Sequence, residues 1–142
     1  MTGRIAKLAC VAALLLPALA YGAIYEGHGT SDQTAKIKLR VAKRDGDRNV
    51  LRVVANRLRF RAGRHHCETS GRTGRQAIDG AFRVQNDGDF VAVGHTSPPN
   101  PLAGGELKVR GEIAGGTATG TVSFTFGKTG CRTGRVEWVA RR

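Results

Sequence analysis

The chain predicts an all-β fold: one mainly antiparallel β-sandwich or jelly-roll-like domain of about eight strands, over residues 21–142, preceded by a signal peptide at 1–20. Three observations carry this. Apolar residues recur at every second position along most of the chain, as where Ala35, Ile37, Leu39 and Val41 alternate with Lys36, Lys38 and Arg40, the period of a half-buried strand. The separators are turn formers: Asp45-Gly46-Asp47, Asn86-Asp87-Gly88-Asp89, Pro98-Pro99-Asn100-Pro101 and Gly115-Gly116. No window after residue 20 shows the stripe of an amphipathic helix.

In order along the chain, Arg4 and Lys7 precede the apolar run Leu8 to Leu16, and Pro17-Ala18-Leu19-Ala20 ends on small residues, the pattern of a secretory leader cleaved after Ala20. The apolar run is too short to span a bilayer. Lys7 before Cys10 and the apolar core after it are the reverse of a lipoprotein signal, so Cys10 leaves with the leader. Ile24 to Gly29 opens the domain. Residues 35–41 and 50–57 read as a hairpin about Gly46, and Leu58, Phe60 and Ala62 continue the alternation against Arg57, Arg59 and Arg61. The stretch Arg64 to Gln76 has no period and reads as a long loop. Strands follow at Ile78 to Val84, Phe90 to Gly94, Leu107 to Ile113, Val122 to Phe126 and Val136 to Ala140, the last placing Trp138 on its apolar face. Such strands can close as a sandwich, a jelly roll or a small barrel, with a sandwich preferred. An outer-membrane barrel fits poorly, because several outward faces carry charge.

The 142 residues are 40% hydrophobic, with 23 Lys and Arg against 11 Asp and Glu and a formal charge of +12. This is one folded cationic domain, neither a two-domain enzyme nor a disordered basic tail. Loss of Arg4 and Lys7 with the leader takes the charge from +12 to +10. Cys67 and Cys131 remain, in a compartment where oxidation is the default, and a disulfide between them is expected. The localisation read here is secreted or periplasmic, with no transmembrane segment in the mature chain.

The ending Gly111-Glu112-Ile113-Ala114-Gly115-Gly116-Thr117-Ala118-Thr119-Gly120-Thr121, then Cys131-Arg132-Thr133-Gly134-Arg135-Val136-Glu137-Trp138-Val139-Ala140, resembles a pattern of small exported bacterial all-β domains of unassigned function. The opening Tyr25-Glu26-Gly27-His28-Gly29-Thr30 is similar to how those domains begin. The resemblance implies a sandwich-like fold, a bacterial source and the Cys67 to Cys131 bridge. It supplies no catalytic or binding residues.

The candidate ligand-binding set is basic. With Leu39 opposite Val53 and Arg40 opposite Arg52, a one-residue bulge at Val53-Val54 would bring Arg57 beside Lys36. One face would then collect Lys36, Lys38, Arg40, Arg52 and Arg57, continued by Arg59 and Arg61. Like charges facing each other are unfavourable unless an anion meets them, and the arginine fork grips phosphate or carboxylate with two bonds. The plain alternative is compositional, since Arg72, Arg75, Arg83, Arg110, Arg132 and Arg135 spread cations over most of the chain.

The function expected is therefore an exported non-catalytic binding domain for anionic envelope material, lipid phosphate or acidic polysaccharide. A structural or protein-interaction domain using edge strands is the alternative, and an uncharacterised hydrolase or metal-dependent protein the third. Nucleic acid is the poorest partner, because only Phe60 interleaves the basic strands and it points inward. His65-His66-Cys67-Glu68 has no metal-ligand spacing, the Asp-Gly-Asp turns lack further oxygen ligands, and Ser31, Ser70, Ser97 and Ser123 sit in no nucleophile elbow. No catalytic residue, metal or cofactor is assigned.

Overall fold

The computed structural model describes residues 22–61, 67 and 71–142; the expected leader at 1–20 lies outside them. Among the described residues nine strands follow one another: β1 (Ala23–Gly29), β2 (Lys36–Arg44), β3 (Asp47–Asn56), β4 (Gln76–Arg83), β5 (Asp89–His95), β6 (Glu106–Ala114), β7 (Thr117–Phe126), β8 (Cys131–Arg132) and β9 (Val136–Arg141). A 3-10 turn at Gly127–Thr129 separates β7 from β8. All pairings are antiparallel and form one sheet in the order β4-β3-β2-β1-β9-β7-β6-β5, with β8 added to β7. The all-β antiparallel class is as the alternation predicts. Closure comes from the sheet curling until its two edge strands, β4 and β5, lie alongside each other without a ladder, so that the barrel is nearly closed.

The inward residues of both halves make one core. Tyr25, Leu39, Val50, Val53, Leu107, Val109, Phe124 and Ala140 belong to it, and Trp138 is 2% exposed. Wrapping a sheet this tightly requires small residues where strands approach the interior. On one inward row Gly29, Trp138, Gly120, Gly111 and Phe90 stand side by side on five neighbouring strands. A Cβ on Gly111 would lie 2.7 Å from the Phe90 ring, so the ring occupies the space a side chain would need. An apolar interior with charge on the outer face is the inverse of a barrel immersed in lipid. Among the described residues no helix is long and apolar enough to cross a membrane.

The two ends of the barrel differ. One end carries three tight turns, at 45–46, 84–88 and 115–116. Asp45 and Gly46 both have positive φ, 53° and 82°, the type I′ geometry that joins twisted strands in two residues. The other end carries the long connections 30–35, 96–105 and 127–135 and the described residues between β3 and β4, 57–61, 67 and 71–75. They are tied by the Cys67–Cys131 disulfide, whose Cα atoms are 5.8 Å apart, and by two buried threonines. Thr73 accepts a hydrogen bond from the Leu58 N–H at 3.1 Å through its hydroxyl, and Thr133 does the same for Phe124 at 2.9 Å.

One expected strand is absent. Residues 57–61 keep their alternation, with Leu58 and Phe60 buried and Arg57, Arg59 and Arg61 exposed, yet they form only an isolated bridge, Arg59 to Arg72. The cause is local: Arg57 adopts φ 58°, which ends β3 at Asn56 and turns the chain across the end of the barrel. The apolar side chains then plug that end rather than join the sheet.

Candidate anion-binding surface

The β2–β3 hairpin has the expected register on one side of its bulge, with Leu39 opposite Val53 and Arg40 opposite Arg52. The bulge itself is elsewhere. Arg40 pairs Arg52 while Val41 pairs Val50, so the extra residue is Leu51. Val50 and Val53 are three apart and would fall on opposite faces of a regular strand; the bulge at Leu51 turns both inward, where each is fully buried. Beyond it the register runs on unbroken, so Lys36 meets Asn56 and Arg57 falls past the end of the ladder.

The predicted basic row consequently divides in two. Lys36, Lys38, Arg40 and Arg52 share the outer face of β2 and β3, but neighbouring strands bring acids to it. Glu26 on β1 stands opposite Lys38 and pairs with it at 3.1 Å. Asp79 on β4 stands opposite Arg52 and pairs with it at 3.3 Å. These exposed pairs are worth a few tenths of a kcal/mol each, but they balance the Lys38 row and leave one positive charge on the row of Arg40 and Arg52. The row nearest the loop end has no acid: His28, Lys36 and Asn56 lie across β1, β2 and β3, and Arg75, just ahead of β4, closes the line. Around it runs a shallow groove of about 290 Å³ lined by Glu26, Lys36, Lys38, Val54, Asn56 and Arg75, among others.

Arg57, Arg59 and Arg61 join a different set, at the loop end. The backbone N–H of Arg61 donates to the Arg132 carbonyl at 2.9 Å, and the Arg61 side chain lies against Gly134. Arg59 bridges to Arg72, whose guanidinium donates two hydrogen bonds to Asp32, at 2.7 and 3.2 Å, and a third to the Arg57 carbonyl at 2.8 Å. That guanidinium, against partial burial, holds the Asp32 carboxyl below its ordinary value of 3.8, helped by the Thr34 N–H and the charge of Arg59. The described residues of the connections at this end include seven arginines and one acid, Asp32, whereas the turns at the other end hold Asp45 and Asp87 and no cation. The expected set missed Arg75, Arg132 and Arg135, because only the curling of the sheet brings 57–75 and 127–135 to one place.

A second, larger hollow lies where β4 and β5 part. The seam is bonded near its turn, where Gln85 N–H donates to the Asp89 carbonyl at 2.8 Å, and packed midway, where Ile78 fills the space above Gly94. At the Gln76 and His95 end it is a cleft of about 610 Å³ lined by Arg52, Gly74 to Asp79 and His95 to Pro101. Ser97, His95 and Asp79 all line it, but no hydrogen bond joins them, and Asp79 is turned to Arg52. Among the described residues no group of three or more His, Cys, Asp or Glu is placed to hold a metal. His65, His66 and Glu68 lie outside the described residues.

Comparison of the chain with protein-family models, with curated proteins and with solved structures returns no match. The functional reading rests on geometry and charge.

Proposed function

We propose that this chain is an exported, non-catalytic binding domain, of the kind its termini resemble in small bacterial all-β domains, and that it meets anionic envelope material through its basic surface. The observation supporting this is the concentration of unbalanced cations at the disulfide-bearing end, continuous with Lys36 and Arg75 on the adjoining outer face. Cations on the strands have acids among them, as Lys38 has Glu26 and Arg52 has Asp79, whereas the described connections at the loop end hold seven arginines against Asp32 alone. Arg57, Arg59, Arg61, Arg75, Arg132 and Arg135 are all exposed there, so their forks are open to phosphate or carboxylate.

The test is binding of the oxidised protein to phosphatidylglycerol vesicles and to acidic polysaccharide at about 50 and 300 mM salt, where screening shortens markedly. Binding should weaken strongly at the higher salt and be lost on charge reversal of Arg57, Arg59 and Arg61 together in a protein that still melts cooperatively. Equal, weak binding by both proteins would sink the reading. A protein-interaction domain would then be favoured, on a separate observation: Val91 and Val93 are 47% and 40% exposed on β5, which is laddered to β6 on one side only. Such binding would survive salt.

A further inference from the structure

Resting on that reading, we infer that the cleft at the open end of the β4–β5 seam binds a short acidic glycan, a saccharide strand carrying carboxylate or phosphate groups. The cleft, at about 610 Å³, falls in the range of small-ligand sites. Its polar groups suit a sugar acid: Arg75 and His95 offer donors to the anion, the Ser97 hydroxyl can exchange hydrogen bonds with sugar hydroxyls, and the Asp79 carboxylate, held by Arg52, can accept them. Pro98, Pro99 and Pro101 with Ala77 add apolar surface for the faces of the ring.

The site is built before any ligand arrives. Gln76, 1% exposed, lies beneath the cleft and exchanges amide hydrogen bonds with Asn100, at 2.7 Å to its Oε1 and 3.5 Å from its Nε2. Asn100 also donates to the Arg75 carbonyl at 3.1 Å and accepts from the Leu102 N–H at 2.9 Å. The buried Thr96 hydroxyl anchors the far side of the loop on the Leu102 carbonyl at 3.0 Å. A proline-rich loop fastened in this way loses little freedom on binding, so more of the contact energy appears as affinity.

Arg75 decides between a glycan and a membrane. It lines both this cleft and the groove beside Lys36 and Asn56, so the two hollows adjoin at one cation, and we take them as one track. A linear polymer can follow such a track, and a flat bilayer cannot enter it. Membrane-docking surfaces also set apolar side chains among their cations, and the exposed large hydrophobics, Ile24, Val91 and Val93, line neither hollow.

The experiment is calorimetric titration of the oxidised full chain with a uronic-acid oligosaccharide, its neutral counterpart, an acidic peptide and phosphatidylglycerol vesicles. The uronate oligomer should bind and the neutral one should not. Arg75→Gln should weaken binding about tenfold or more, the worth of a hydrogen-bonded charge, and His95→Gln should weaken it by less. Arg110→Gln, on the exposed outer face of β6, should leave it unchanged. All three positions are exposed, and unchanged melting curves would show the variants folded. The inference falls, with the broader reading intact, if vesicles or the acidic peptide bind in place of the oligomer. It also falls if reversing Arg57, Arg59 and Arg61 abolishes oligomer binding while Arg75→Gln does not. If no anionic probe binds, both readings fail together.

Discussion

At the turn end of the barrel the chain reverses through residues adjacent in sequence. The Asp45-Gly46 turn takes positive φ at both positions, Gly88 does so at φ 91°, and Asp87 caps its own turn by accepting the Asp89 N–H at 3.0 Å. At the loop end each closure joins residues far apart: Cys67 to Cys131 over 64 positions, Arg72 to Asp32 over 40, Gln76 to Asn100 over 24. The cations beside the first end stand among acids, Asp45, Asp47, Asp87 and Asp89, whereas the described connections of the second hold seven arginines against Asp32. Local turn chemistry can fix a hairpin without help, whereas long connections crowded with like charge need covalent and ionic ties to stay together. The repulsion those ties restrain is the same property that makes the end attractive to an anion.

That contrast can be broken in steps. The largest effect is expected from Cys67→Ser with Cys131→Ser, which frees a 64-residue loop and should cost about 4 kcal/mol on the chain-entropy account. Thermal unfolding would show a lowered midpoint, and hydrogen exchange should rise first in 57–61 and 131–135 while the hairpin amides around Gly46 stay protected. Uniform loss of protection would mean the two ends do not separate.

Removing the ion pair should cost less. Because the folded Asp32 carboxyl is held below 3.8, the pair contributes its stability in full above that value and loses it as the pH falls through the folded one. Asp32→Asn should therefore lose roughly 1–2 kcal/mol at neutral pH, and its denaturant midpoint should begin to approach that of the wild type only below pH 3.8, meeting it once the pH passes the folded value. Parallel curves at every pH would remove the ionic role.

The smallest effect belongs to the turn end. A Cβ on Gly46 would meet nothing within 4 Å, so Gly46→Ala pays only for its positive φ, about 1 kcal/mol. Anion binding at the loop end should not change. A change would show that the ends communicate through the β2–β3 hairpin.

Much of this was legible in the sequence. Alternation in Ala35 to Val41, Leu107 to Ile113 and Val136 to Ala140 fixes which residues face inward, because side chains on a strand point to opposite sides in turn. The Asp-Gly and Gly-Gly pairs mark the tight turns, and the expected Cys67 to Cys131 bridge is present. The sequence also showed that Arg57, Arg59 and Arg61 are outward, and the structure keeps them so. It could not show that Arg57 leaves the sheet, since one residue with positive φ interrupts a ladder without disturbing the period. Nor could it place the bulge at Leu51, where the competing demands of Val50 and Val53 for the interior are settled only against the core they enter.

The candidate site shows the same division. Glu26 and Asp79 lie in other strands, so their neutralisation of Lys38 and Arg52 depends on strand order, which alternation does not encode. The sequence by itself determined most of the strands, their inward faces and the net charge, because each follows from neighbours along the chain. Tertiary structure alone decided which cations are balanced, which gather at one end, and where the sheet stays open, because those depend on distances between residues that only the curling of the sheet brings close.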